Sequence, residues 1–127
     1  MTKTEQEHAA MVARLVKPGE KILLTLSAAK INLWHAALGI GTEAGELGDA
    51  VKKYLIYEKD LDLENILEEL GDMEFYLQQF RAELGVTREE TLQHNLHKLS
   101  DRDKGRYASG YSNEAAIARI DKTKKQP

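Results

Sequence analysis

Four acidic residues form two pairs with the same internal spacing. Glu43 and Glu46 are three residues apart, and so are Glu69 and Asp72. Residues three apart share a face of a helix, so each pair would present its carboxylates together. Carboxylate oxygens are the hard ligands that Mg²⁺ and Mn²⁺ prefer. The spacing predicts a divalent-cation site, provided that both segments are helical and lie side by side.

One such pair is weak evidence, because most acidic pairs at this spacing lie on a solvated helix face. Two pairs that border apolar stripes are stronger evidence, since four converging carboxylates repel one another unless a cation is bound. A ferritin-like di-iron site is the alternative for acids within a helical bundle. That site uses Glu-x-x-His, and neither acid-bearing segment contains this motif.

Both acid pairs lie in segments with apolar residues at helical spacing. The first helix is predicted from Ser27 or Asn32 to Tyr57, and the second from Asp62 or Leu63 to Leu84. Their predicted core positions are Leu33, Ala37, Ile40, Ala44, Leu47, Val51 and Leu55 in the first, and Ile66, Leu70, Met73, Leu77, Phe80 and Leu84 in the second. A short polar connection makes such helices antiparallel neighbours, so the two acid pairs can face each other.

The first acid pair is embedded in the glycine-rich stretch "GIGTEAGELGDAVKK". Each glycine inside a helix costs about 1 kcal/mol relative to alanine. At 100° per residue, Gly41, Gly45, Gly48 and Lys52 form one narrow stripe that is separate from the acids. A stripe without side chains lets another backbone approach closely, so we expect a packing surface here, and helices that pair between subunits.

The remaining segments complete an all-α domain. We expect Thr4 to cap a first helix that Pro18-Gly19 ends, and a short helix before a turn near Ser27. Thr87 and Glu90 form a capping box, and Ser112 or Asn113 begins a short last helix. The prediction is one domain over residues 1–127, with a core at about 27–121 and a flexible tail at 122–127, folded as a small bundle of four to five helices that oligomerises through its helices.

Composition limits the possible partners and compartments. The chain has 127 residues, a net charge of -3 and no cysteine, so disulfides and thiolate metal sites are excluded. The charge gives no reason to expect a nucleic acid, and no segment has the length and apolarity of a membrane span or signal peptide. We expect a cytoplasmic protein.

The motifs together resemble the MazG-like nucleoside triphosphate pyrophosphohydrolases, of phage and bacterial type, within the all-α NTP pyrophosphatase superfamily. Those proteins carry Glu-x-x-Glu and, after a variable gap, Glu-x-x-Asp. The matching stretches here are "LWHAALGIGTEAGEL", "EAGELGDAVKK", "ENILEELGDMEFYL", "HNLHKL" and "RYASGYSNEAAIARID". The resemblance implies an all-α fold and hydrolysis of a nucleoside triphosphate to its monophosphate and pyrophosphate.

The resemblance also implies site residues. Glu43, Glu46, Glu69 and Asp72 would be the catalytic and metal-binding set, holding Mg²⁺ with Mn²⁺ as a substitute, and Glu46 is the candidate base. The candidate substrate-binding residues are Lys53, Lys98 and Arg102 for the phosphates, Asn95 for base or sugar, and Tyr76, His35 and Trp34 for the base pocket. Each also has a plain interpretation, as a surface side chain or as core packing. Because "SDRDKG" precedes Arg106, either Arg102 or Arg106 can serve the phosphates.

Several alternatives stay open at this point. The family implies a homodimer or homotetramer, and a purine (dGTP) preference in phage or bacterial nucleotide metabolism is one version of the function. From a different class, the chain could be a non-catalytic nucleotide-sensing or dimerisation module. Four intact acids argue against that, and against a purely structural bundle.

Overall fold

The computed structural model describes residues 1–101 and 104–123, and this part of the chain contains helices, turns and loops but no strand. The helices are α1 (Lys3–Leu15), α2 (Gly19–Leu23), α3 (Ala28–Leu55), α4 (Leu63–Leu84), α5 (Arg88–Ser100), α6 (Asn113–Ala118) and α7 (Ile120–Thr123). The all-helical prediction is confirmed. The four longer helices α1, α3, α4 and α5 account for most of the fold.

The helix boundaries follow from local capping. Ser27 caps α3, and Asp62 caps α4 through bonds that their side chains accept from backbone N–H groups. Gly85 ends α4 with φ at 68°, a left-handed conformation that glycine adopts without strain. Thr87 and Glu90 form the predicted capping box. These caps fix where the two acid-bearing helices begin and end.

The first helix begins earlier than predicted. Thr2, and not Thr4, is its N-cap, because Thr2 and Glu5 complete a capping box in which each side chain bonds the other residue's backbone N–H. Thr4 lies within the first turn instead. A reciprocal pair satisfies two free donors at once, which favours the earlier start.

Helices α3 and α4 pack as an antiparallel hairpin, and they are the only two helices with extensive mutual contact in the described residues. At the open end of the hairpin, Asn32 Nδ2 donates to Glu83 Oε2 over 3.0 Å. This bond joins the start of α3 to the end of α4. The predicted antiparallel arrangement is therefore present.

The side of α3 that meets α4 is rotated from the predicted core stripe. The buried residues on α3 are Ala36, Gly39 and Ala50, whereas the predicted core positions Ala37, Ala44 and Leu55 are exposed. Small residues at the contact allow the two backbones to approach closely. Among the larger side chains assigned to the core by periodicity, Leu33, Ile40 and Leu47 are half-buried as predicted, whereas Val51 is exposed.

The second helix shows the same departure in part. Ile66, Met73, Leu77 and Phe80 are half-buried as expected. The other two predicted core residues, Leu70 and Leu84, are exposed. Only two apolar side chains, Ala36 and Ala50, are buried in the described part of the chain. The hairpin therefore leaves much of its apolar surface uncovered.

The C-terminal segment is held by an ion pair. Arg106 Nε donates to Asp121 Oδ1 over 2.8 Å, and a second guanidinium nitrogen donates to Oδ2 over 3.1 Å. The Asp121 side chain is almost fully buried, and the hydrogen bonds from Arg106 lower the pKa of that carboxyl. Ser112 caps α6, as one of the two alternatives predicted. Residues 124–127 of the predicted tail lie outside the described residues.

Gly39 is expected to be the glycine that the hairpin itself requires. A Cβ at this position would overlap the ring of Tyr76, so we expect Gly39→Ala to lower the free energy of unfolding by about 1–3 kcal/mol. Gly71→Ala is the matched control, because a Cβ there has open space, and better helix propensity should stabilise it by up to about 1 kcal/mol. Chemical denaturation measures the free energy of unfolding of both variants. If the two substitutions changed it equally and in the same direction, the close contact between Gly39 and the Tyr76 ring would be contradicted.

Candidate metal centre

The hairpin brings together three of the four predicted acids. Glu43 comes from α3, and Glu69 and Asp72 come from α4. Each contributes a carboxylate oxygen to a group in which all the chosen atoms lie within 4.8 Å of one another. We call these three residues the acidic triad. Helical spacing places the acids of each pair on one face of their helix, and the capped hairpin sets the register of α3 against α4.

Glu69 is the buried member of the triad. Only 8% of its surface is exposed, and its Oε2 atom has no hydrogen-bond partner among the described residues. A buried carboxylate oxygen without a partner is costly. The neighbours of this oxygen are further acids, which carry no donor when ionised.

The fourth acid, Glu46, lies outside the acidic triad but close to it. It is exposed on α3, within hydrogen-bonding reach of Glu69. Burial, the hydrogen bonds that protonated Glu69 donates to Glu46 and Glu43, and the negative charge of those two carboxylates raise the pKa of Glu69 to about 7. The buried Glu69 therefore keeps its proton to a higher pH than an ordinary glutamate does.

The donor set fits a hard divalent cation. A cation bound by the acidic triad would satisfy the free oxygen of Glu69 and offset the mutual repulsion of the carboxylates. Oxygen-only ligands from carboxylates are typical of Mg²⁺ and Mn²⁺ sites. Exposed acidic groups are common without a metal, but a buried carboxylate among other acids is not explained by solvation.

An aromatic cluster lies beside the acidic triad. The rings of His35 and Tyr76 meet edge to face, with centroids 5.9 Å apart, and Phe75 meets Tyr76 at 5.2 Å. His35, Gly39 and Glu43 follow one another at intervals of four on α3, while Tyr76 is one turn beyond Asp72 on α4. The two predicted base-pocket residues His35 and Tyr76 are thus placed together, with Tyr76 one turn from Asp72 and His35 two turns from Glu43.

The third predicted base-pocket residue lies elsewhere on α3. Trp34 is 67% exposed, so it neither packs into the core of this chain nor takes part in the ring contacts of His35 and Tyr76. By helical geometry it lies on the side of α3 opposite the buried Ala36 and Ala50. Its role as a base-pocket residue stays a prediction.

The predicted phosphate ligands are dispersed. Lys53 forms an exposed ion pair with Asp49 over 3.1 Å, four residues earlier on α3. Lys98, on α5, lies close enough to Asp121 to help lower the pKa of that carboxyl. Asn95 is exposed on α5, and Arg102 lies outside the described residues. Among the described members of this group, Lys53 contacts Asp49 and Lys98 lies near Asp121, so neither is placed in contact with the acidic triad.

The choice between Arg102 and Arg106 is narrowed by the ion pair with Asp121. Both oxygens of Asp121 accept hydrogen bonds from Arg106, so the guanidinium of Arg106 already has a carboxylate partner within the chain. A bidentate pair of this kind is strong and geometrically specific. Arg106 is therefore placed as an anchor of the C-terminal segment.

Two residues near the site were missed by sequence reasoning. Gly39 allows Tyr76 to lie against α3, although the sequence analysis assigned close packing to other glycines. Asp49 forms an ion pair with the predicted phosphate ligand Lys53. The signal for Gly39 was its position midway between His35 and Glu43, at intervals of four residues, which places it on the acid-bearing face.

Comparison with known proteins gives one family. The family model of the MazG nucleotide pyrophosphohydrolase domain matches residues 35–107, which is more than half of the chain and includes all four acids. No curated protein and no solved structure gives a match.

The raised pKa of Glu69 predicts how the stability of the metal-free protein depends on pH. Between the ordinary value of 4.5 and about 7, the unfolded chain releases this proton while the folded chain keeps it. The unfolded state then binds fewer protons, so this group makes the free energy of unfolding fall as pH rises through that window. Urea denaturation at a series of pH values in a chelator measures the slope.

Glu69→Gln is the control, because it cannot titrate. The wild-type protein should lose stability relative to this variant from pH 4.5 to 7, and addition of Mg²⁺ should restore it at pH 7 and above by binding the folded state. Parallel curves for the two proteins would show that Glu69 is not buried among charges.

Proposed function

We propose, from the premise that the chain belongs to the MazG nucleotide pyrophosphohydrolase family, that it hydrolyses deoxynucleoside or nucleoside triphosphates to the monophosphate and pyrophosphate. Family membership makes the protein an enzyme that acts on nucleotides. The observation that carries the finer proposal is the acidic triad, in which a buried carboxylate oxygen has no partner in the described residues. A divalent cation would supply that oxygen with a partner, and the phosphate tail of a nucleotide would be a further ligand of the cation.

The proposed cofactor is Mg²⁺, with Mn²⁺ as a substitute, held by Glu43, Glu69 and Asp72. When bound, such an ion neutralises phosphate oxygens and lowers the pKa of a water molecule. Glu46 completes the predicted set from the edge of the triad. Transfer reactions at phosphorus depend on positioning and charge neutralisation more than on covalent help from the protein, which agrees with a site made of carboxylates and no nucleophile.

The protonation states suggest how the acids divide their roles. The pKa of Glu69 is raised to about 7, so near neutral pH it can give up its proton when a cation enters. Glu46 is exposed and adjacent to Glu69. We assign Glu46 the role of base because its carboxylate can reach a water molecule at the open side of the triad.

The aromatic cluster is the proposed nucleoside side of the site. Tyr76 and His35 are in contact and lie one turn and two turns from the acids of their helices, so a base held there would leave the triphosphate directed along the hairpin towards the carboxylates. A purine, as in dGTP, offers the larger face for stacking on these rings. Lys53, Lys98 and Arg102 remain the proposed phosphate ligands, and Asn95 a proposed base or sugar contact.

The accessible surface supports a homo-oligomer, a homodimer or homotetramer. A folded monomer of 14.3 kDa is expected to expose about 6,800 Å², but this chain exposes 10551 Å². The excess of roughly 3,700 Å² is several times the share of one partner in an interface of standard size. Large apolar side chains occur throughout this surface, among them Leu15, Leu24, Trp34 and Phe75.

The proposed place of action is the cytoplasm of a bacterium or of a phage-infected host, where nucleoside triphosphates are available. None of the helices in the described part of the chain is long and apolar enough to cross a membrane. The chain has no cysteine, which is compatible with a reducing compartment.

Turnover should require both the cation and Asp72. We expect pyrophosphate release from a panel of deoxynucleoside triphosphates with Mg²⁺ or Mn²⁺, and loss of release in excess EDTA. Asp72→Asn should reduce kcat at least about a hundredfold, since it removes a charged ligand at the reacting phosphates, while the protein stays folded. Asp60→Asn, the same chemical change in the α3–α4 connection, should leave turnover unchanged. Full activity in EDTA would contradict the metal proposal.

The bond that breaks can be identified independently. With dGTP in ¹⁸O-labelled water, we expect the label in the monophosphate, because attack at the α-phosphorus transfers the water oxygen there. Mass spectrometry of both products makes the assignment. Label in pyrophosphate would indicate that water attacks the β-phosphorus. Formation of dGDP and orthophosphate would show a different reaction and would contradict the proposed activity.

A further inference from the structure

A second side of α3 has no partner in the described chain and carries a regular pattern. Its residues are Ile31, Trp34, Leu38, Gly41, Gly45 and Gly48, which alternate spacings of three and four. We call these six residues the outer seam. At 100° per residue they lie on the side of α3 opposite Ala36 and Ala50, the alanines buried in the hairpin. Such spacing is typical of a helix that packs lengthwise against another helix.

The two halves of the outer seam differ in size. Ile31, Trp34 and Leu38 are large and are 45%, 67% and 54% exposed. The glycines that follow have open space in front of them, since a Cβ added at Gly41, Gly45 or Gly48 meets nothing within 4 Å. One half of the seam therefore projects, and the other half is a groove without side chains.

The halves are complementary when one copy of α3 is reversed against another. With a two-fold axis beside the bond between residues 39 and 40, Ile31 faces Gly48 of the partner subunit, Trp34 faces Gly45 of the partner subunit, and Leu38 faces Gly41 of the partner subunit. All three pairs follow from the same axis, because the two numbers in each pair have the same sum. A self-complementary patch of this kind closes a two-fold dimer.

We propose that the outer seam is the interface at which α3 packs antiparallel on α3 of a second copy, with the three large side chains of each copy seated over the three glycines of the other. This deepens the homo-oligomer of the proposed function and rests on it for the presence of a second copy, but not on the hydrolysis. A parallel pairing would oppose Trp34 to itself and leave the glycines facing each other across a gap.

Surface area, as well as shape, supports a second copy of the chain as the partner that covers the outer seam. The excess exposed surface exceeds what one standard interface covers, and the outer seam is about 27 Å long at 1.5 Å per residue. The acids lie on the other side of α3, so this interface leaves the acidic triad open. The same contact explains why α3 tolerates three glycines, since their cost in helix propensity is offset by close packing between subunits.

Disulfide trapping in the full chain tests the register. The chain has no native cysteine, so Ile31→Cys combined with Gly48→Cys introduces the only two thiols. These positions are too far apart on one helix to join within a chain, but they face each other across the proposed axis. Mild oxidation should convert this variant to covalent dimers on a non-reducing gel. The control, Gly45→Cys with Lys52→Cys, lies on the same stripe of α3, but none of its thiols comes within about 16 Å of a thiol of the other copy along the paired helices, so it should stay largely monomeric on the gel.

A size exchange tests the packing without cysteines. Trp34→Ala leaves a gap and Gly45→Leu overfills the groove, so each should weaken dimerisation by about tenfold to a hundredfold in sedimentation equilibrium. The double variant places a small residue opposite a large one again and should regain most of the affinity. Gly71→Leu, at an exposed glycine on α4, is the control and should dimerise normally.

The results that overturn the proposal are distinct from those that overturn the activity. A wild-type protein that is monomeric at all concentrations, equal trapping of the two cysteine pairs, or a double variant as weak as the two losses combined would each reject the outer seam. Pyrophosphate release from deoxynucleoside triphosphates is scored separately on the wild-type protein, so loss of the interface and loss of the proposed function are separately visible.

Discussion

Burial of the Glu69 carboxylate beside other acids is the constraint on which the candidate site depends. A carboxyl in this position either keeps its proton or requires a cation, because desolvation and the charges of Glu46 and Glu43 both disfavour its ionised form. The hairpin holds Glu43 and Asp72 near it in a fixed register. The protein therefore maintains an arrangement that is unfavourable for the empty site and favourable once a divalent ion is bound. That repulsion supports the proposal that the pair of helices binds a cation.

The hairpin can hold this arrangement because its contact surface is made of small residues. Ala36, Gly39 and Ala50 are the buried positions of α3, and Gly39 accommodates the ring of Tyr76. Close approach of the helices brings acids from both of them within the same few ångströms. The cost is a thin core, and most large apolar side chains are left on the outside. The exposed surface is well above that expected for a monomer of this mass, which supports the proposed homo-oligomer.

The helices and the identity of the acids were predictable from sequence, because caps such as Ser27, Asp62 and Thr87 act locally and because i, i+3 spacing fixes which carboxylates share a face. The rotation of α3 against α4 was not predictable from periodicity, since α3 has two apolar sides and the contact selected the one with small residues. Trp34 was assigned to a core or a base pocket for the same reason. The ion pair between Arg106 and Asp121 joins residues fifteen apart in the chain, and local sequence patterns do not predict such a contact. The glycine stripe was predicted to be a packing surface, and that stays a prediction, because a Cβ at Gly41, Gly45 or Gly48 meets nothing within 4 Å.

The most direct measurement of the cation site is a titration with Mn²⁺ followed by the electron paramagnetic resonance signal of the free ion. We expect the wild-type protein at pH 7.5 to remove Mn²⁺ from solution in the absence of nucleotide, and we expect Mg²⁺ to displace the bound Mn²⁺. Glu69→Gln should bind Mn²⁺ at least about tenfold more weakly, because a charged ligand is lost. If the wild-type protein left Mn²⁺ free at millimolar concentration, or if Glu69→Gln bound it equally well, the buried carboxylate would not be the centre of a metal site.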